Sequence, residues 1–192
     1  MSNIFISLIP LLMISMLAPC RANALSEVTA IPTQNSPAAN VDSDPGELEL
    51  FLEAKISLRR AIKIAEKLHS GSRTAEITFD SSSGSPVYRV RTTRKAQIWE
   101  NAVDAKTGDI TGSETVSSLE SLDTDERNNF VALKRVRQEL SDAVLIAEKA
   151  ADGKAISGRL ADEDGKLNFV IFVVSGDHLK EVLLEPAKVR RP

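Results

Sequence analysis

The sequence predicts an α+β fold built from two tandem units, each a helix followed by a three-stranded antiparallel meander. Three observations carry this. Residues 61–67, Ala-Ile-Lys-Ile-Ala-Glu-Lys, return 82 positions later as Ala-Val-Leu-Ile-Ala-Glu-Lys, identical at five of seven positions. The apolar stripe and the glycine stop around that septamer return with it. Both copies then change from a helical period to strand chemistry with polar, glycine-containing turns.

The first 24 residues differ from everything after them. Positions 4–18 are almost unbroken apolar and lead to Ala22-Asn23-Ala24, a small-x-small triplet, so residues 1–24 read as a secretory signal cleaved after Ala24. An uncleaved N-terminal membrane anchor is the alternative. About fifteen apolar residues broken by Pro10 fall short of the roughly 20 that span a bilayer, so no stable membrane span is expected after cleavage. Cleavage removes Cys20, the single cysteine of the 192 residues, and with it any disulfide, thiol nucleophile or thiolate ligand. It also removes Arg21, leaving 23 basic against 27 acidic side chains. A mildly acidic chain of this kind has no electrostatic footprint for nucleic acid. The expected location is periplasmic or secreted.

Residues 25–46 carry Pro32, Pro37 and Pro45 among small polar residues and read as a flexible leader. Unit 1 spans 47–112. Its helix carries Leu58, Ala61, Ile62, Ala65 and Leu68 on one stripe and stops at Gly71. The strands follow at 75–80, at 87–92 after a serine-rich turn, and from Ile98 to the turn Asp104-Ala105-Lys106-Thr107-Gly108-Asp109. Residues 113–128 read as a polar linker whose end, near Asp123, offers helix N-caps. Unit 2 spans 129–192. It repeats the stripe at Leu140, Ala143, Val144, Ala147 and Ala150, the stop at Gly153, and strands at 156–161, 167–173 and from Leu179. The offset drops from 82 to 81 before the hairpin turns, where a connection can lose a residue cheaply. Residues 169–174 form a continuous apolar run, which predicts a strand covered on both faces. A unit of about 64 residues is marginal alone, so the two are expected to pack together.

The residues offer little for chemistry. His69 and His178 occupy unrelated positions and lack neighbours at metal-ligand or base spacing, so both read as exposed turn residues. Asp162-Glu163-Asp164-Gly165 reads as a hairpin turn because it lacks the alternating ligands of a calcium loop. No Gly-x-Ser-x-Gly elbow and no phosphate-cradling loop is present. No catalytic residue, metal or cofactor is therefore assigned, and the chain reads as a non-enzyme. Tyr88 and Trp99 are either core aromatics or partner contacts. Arg89 and Arg91 are either a solvated strand face or the basic side of a contact with an acidic peptide. These four form the candidate partner surface.

The set Leu58-x-x-Ala61-Ile62-x-Ile64-Ala65, Gly84-x-Pro86-Val87-Tyr88-x-Val90 and Val103-Asp104-Ala105-x-Thr107-Gly108 resembles the PepSY domain family. The second copy is a degenerate version: Phe169 replaces the tyrosine and Leu184-Glu185-Pro186 replaces Val-Asp-Ala. The resemblance implies two cystatin-like units in an exported bacterial protein. It also implies a non-enzymatic module that binds a protein or peptide partner, an envelope peptidase among them, and restrains it in the manner of an inhibitor. The alternative is a structural or chaperone-like accessory of a membrane-associated complex.

Overall fold

The structure, a computed structural model, describes residues 45–163 and 166–187. The expected signal peptide, the expected leader up to residue 44, the 164–165 part of the second hairpin turn and residues from 188 on lie outside the described residues.

The order of elements is α1 (Pro45–Leu52), α2 (Leu58–Leu68), β1 (Arg73–Asp80), β2 (Val87–Arg94), β3 (Gln97–Asp104), β4 (Ile110–Ser118), α3 (Thr124–Ala132), α4 (Leu140–Ala151), β5 (Lys154–Glu163), β6 (Lys166–Ser175) and β7 (His178–Leu184). Seven strands form one antiparallel sheet in the order β4-β3-β2-β1-β5-β6-β7. Helices α2 and α4 lie side by side on one face. Gly158 of β5 approaches Leu140 and Val144 of α4, and Tyr88 of β2 reaches the carbonyl ahead of α2. The opposite face is covered in part by α3, whose Phe130 sits under the Arg91 guanidinium, 4.9 Å from ring centre to Cζ.

Helix α2 starts where Ser57 accepts a hydrogen bond from the Arg60 amide, a cap of about 1 kcal/mol. Its stripe buries Leu58, Ala61, Ile62 and Ala65, but Leu68 is 45% exposed. The expected fifth stripe residue thus falls past the sheet's cover, one turn beyond the last buried contact. Asp123 caps α3 by accepting from the Glu126 amide. Strand β6 is covered on both faces, as its apolar run requires: Phe169, Val170 and Ile171 are all fully buried.

The expected linker is not a linker. Residues 110–118 are strand β4, followed by a 3-10 turn and α3. An edge strand needs partners on one side only and can leave its side chains in water, so Ser and Thr suffice to build it. The first half is consequently α1, α2 and four strands rather than one helix and three strands.

The two halves meet through β1 and β5, where Ile77 lies opposite Gly158, Glu76 opposite Arg159 and Thr78 opposite Ser157. Adding 81 to the number of each β1 residue exchanges these pairs among themselves, so the strands meet about a local two-fold axis between Ile77 and Gly158. The helices obey the same axis: the Arg59 guanidinium donates to the Ser141 carbonyl, a partner 82 residues away. Internal contacts also recur. Glu66 accepts from the Thr74 amide at 2.9 Å, and Glu148 accepts from the Ala155 amide at 3.1 Å. The Lys55 amide donates to the Ala105 carbonyl, and the Arg137 amide to the Ala187 carbonyl, both at 3.0 Å. Each first strand carries a bulge at the matching place, Ala75 and Ile156. The shared glutamate of the septamer therefore ties the helix end to the first strand in both halves.

Candidate functional site

Strand alternation separates the four residues of the expected partner surface. Tyr88 is 1% exposed, packs edge-on against Phe79 and donates its hydroxyl to the Ile56 carbonyl at 2.8 Å. Burial, with the nearby Glu148 charge adding to it, pushes the phenol above its ordinary range. Trp99 is 5% exposed on the same helix-covered face. Arg89 and Arg91 point to the other face, and each is already paired. Arg89 bonds Asp80 and lies 3.8 Å from Glu100, while Arg91 bridges Glu76 at 3.1 Å and Glu126 at 3.0 Å. For Arg91, burial opposes the charge, but the two carboxylates outweigh it and raise the guanidinium further. These residues form no single surface. Two are core, and the arginines are neutralised by neighbours on their own sheet face and on α3.

The Asp80 pair has a measurable signature. The Ser82 hydroxyl and amide, followed by Arg89, lower the Asp80 carboxyl from 3.8 to about 2. A depressed carboxylate stabilises the fold above its unfolded value and stops doing so as pH falls through its folded one. Stability is expected to drop by about 1–2 kcal/mol between pH 4 and pH 2 from this group after solvent screening. Urea titrations at these pH values should show the slope, and Asp80→Asn should flatten it.

A different place is open to a partner. Among the described residues strand β4 is a sheet edge, paired to β3 on one side only. Val116 lies opposite Trp99 and Ile110 opposite Val103, so both share the α2 face of the sheet. They are 52% and 37% exposed. Ile64 of α2 overlies the β3–β4 turn at Gly108, and Leu68 follows it by one turn on the same side of the helix. The result is a groove between α2 and β4 with Leu68, Ile110 and Val116 on its walls.

One polar bridge crosses the groove. His69 Nε2 and Glu114 Oε2 are 2.7 Å apart, and the imidazole stacks on Trp99 at 4.1 Å with the rings 12° from parallel. Arg94 approaches the outer part of Trp99 at 5.9 Å and donates to the Ser70 carbonyl. A bulge in β4 turns Glu114 toward the helix: pairing skips from Thr115 to Thr111 while β3 advances only from Glu100 to Ala102, and Gly112 takes φ = 70°. Burial works against the Glu114 charge, but His69 and the buried Asn101 amide outweigh it, so the carboxyl lies below its ordinary range. His69 is thus a structural staple rather than the free turn residue its sequence context suggests. His178 is exposed, but it is the first residue of β7, paired with Ser175, rather than a turn residue, and it lies beside Asp177.

The sequence offered a partial signal for this site. Thr111, Thr115 and Val116 are β-branched, but the serines and Glu114 among them mask the strand pattern. Among the described residues no three His, Cys, Asp or Glu side chains gather as a metal site, and no helix is long and apolar enough to cross a membrane. Chemically, the groove offers unpaired backbone groups beside apolar walls, which suits binding an extended chain.

Comparison with curated proteins found no match. Among solved structures, a candidate lipoprotein of Clostridium difficile 630 is similar at 16% identity, over 72% of this chain and 93% of its own, with a TM-score of 0.41. Residues 55–114 match the family described as peptidase propeptide and YPEB domain, PepSY. That stretch begins just ahead of α2 and ends at Glu114, the residue that bridges to His69. The stretch that matches PepSY, residues 55–114, thus holds α2, β1, β2, β3 and the first half of the β4 edge.

Proposed function

We propose that this chain is an exported, non-enzymatic binding module that engages a peptidase and restrains it. The PepSY match carries the reading, because that family is described by its place in peptidase propeptides. The open β4 edge, whose first half lies inside the matched region, supports it, since a free edge supplies backbone affinity with loose sequence demand. The chain leaves the cytoplasm by the signal at residues 1–24 and acts outside it or in the envelope.

The second half is a degenerate copy of the same unit, residues 129–192, joined to the first edge to edge. The two-fold pairing of β1 with β5 and the matching roles of Glu66 and Glu148 support this reading. The second copy contributes stability, while the first carries the binding edge.

Purified chain lacking residues 1–24, added to a panel of secreted metallopeptidases, should slow casein cleavage in proportion to its concentration without being consumed. Folded chain that leaves every peptidase at full rate, and co-purifies with none from an envelope extract, would sink the proposal.

A further inference from the structure

We propose that the groove between α2 and β4 docks an extended, acidic segment of a partner protein, with apolar side chains at alternate positions, as an additional strand along β4. This rests on reading the chain as a protein-binding module and names its site and the chemistry of its ligand. Three observations specify the occupant.

The first is the edge. Strand β4 spans nine residues and carries neither lysine nor proline, the side chains that commonly block strand addition. A strand docked there presents every second side chain, about 7 Å apart, to the α2 face.

The second is the wall. Leu68, Ile110 and Val116 are three of the four large hydrophobics most exposed among the described residues, and all three border this groove. Alternate apolar side chains of a docked strand would cover them.

The third is charge. Arg60 and Lys67 stand exposed on the outer side of α2, above Ile64 and Leu68, with no acidic partner within ion-pair distance among the described residues. Glu114, the acidic side chain inside the groove, is occupied by His69. A chain that is acidic overall thus presents a basic rim here, with the Glu114 carboxylate tied to His69 rather than free to face a guest.

The test uses a fluorescent eight-residue peptide alternating valine and glutamate, with its valine–lysine counterpart as control. Anisotropy should show saturable binding of the acidic peptide and roughly tenfold weaker binding of the basic one. Leu68→Asp and Val116→Asp, both at exposed positions, should each weaken the acidic peptide by roughly tenfold. Arg60→Glu combined with Lys67→Glu should invert the preference. Hydrogen exchange with peptide bound should protect the amides of 110–118, a readout that holds even if a variant fails to fold.

Protection confined to another segment, unchanged affinity in both aspartate variants, or self-association through β4 that excludes peptide would each overturn the proposal. Chain that restrains a peptidase yet takes up no peptide overturns the groove and leaves the functional reading standing. Loss of both overturns both.

Discussion

Arg73→Met should lower the unfolding free energy by about 3 kcal/mol, the largest loss expected from any charged side chain described here. Arg73 lies on β1 and reaches into the connection between α3 and α4. Its Nε donates to Glu139 at 2.8 Å, its Nη1 to the carbonyls of Leu133 and Val136, and its Nη2 to the Gln138 carbonyl at 2.9 Å. One side chain thus satisfies three carbonyls of a segment that turns from one sheet face to the other. Methionine keeps the aliphatic stem and removes every donor. Each carbonyl left without a partner costs about 1–3 kcal/mol where it stays buried and much less where water reaches it.

The two-fold relation explains why an arginine is needed there. In the first half the carbonyl ahead of α2, Ile56, is held by the Tyr88 hydroxyl. The matching carbonyl in the second half is Gln138, but the matching aromatic is Phe169, which has no hydroxyl to give. Arg73 supplies the bond from across the β1–β5 junction, so the second half depends on the first. The control is Glu139→Gln, which removes one ion pair with a 44% exposed carboxylate and should cost under about 1 kcal/mol. Equal urea midpoints for the two variants would refute the account. A loss of 3 kcal/mol corresponds to about 6–12 °C in melting temperature for a body of this size.

Much of this architecture could be read from the residues, and the failures have physical causes. The repeated septamer located α2 and α4 because an amphipathic stripe has to recur wherever the same sheet has to be covered. The hairpins followed from their turn residues: Asp104 accepts from the amides of Lys106 and Thr107, and Gly108 takes φ = 82°. Strand β4 was missed because hydrophobic patterning reports burial, and an edge strand in water has little of it. That Tyr88 and Trp99 are buried while Arg89 and Arg91 lie on the other face was not legible for a related reason. Alternation groups Tyr88 with Val90 and Thr92, but it does not say which face the helices will take. Leu68 and Val116, which do line an open groove, looked like a stripe residue and a linker residue. Pairing of a residue with its own repeat partner, as Ile77 with Gly158, is a property of assembly that no local pattern displays.

Gly153→Ala should cost about 3–4 kcal/mol, whereas Gly71→Ala, at the equivalent position, should cost about 1–2 kcal/mol. Both follow a helix as stop signals 82 residues apart, yet the backbone uses them differently. Gly71 adopts φ = 80°, a conformation that penalises any side chain, but the space around it is open, with Arg94 Cδ at 3.8 Å from an added Cβ. Its cost is the left-handed conformation alone. At Gly153 the left-handed turn has moved one residue back, to Asp152 at φ = 52°. There an added Cβ would stand 2.2 Å from the Val174 carbonyl oxygen and 2.8 Å from Val173 Cγ1. The obstacle is the backbone of β6, a strand buried on both faces, so the chain entering β5 has to move away from it. That movement strains the β5–β6 pairing at Lys154 and Val174 and the hydrogen bond that the Ala155 amide donates to Glu148. Asp152→Gly in the Gly153→Ala background should recover only the small left-handed penalty at 152, because the clash lies elsewhere. Urea unfolding of the four proteins checks this, and a Gly153→Ala loss no larger than that of Gly71→Ala would show that β6 yields where its burial says it cannot.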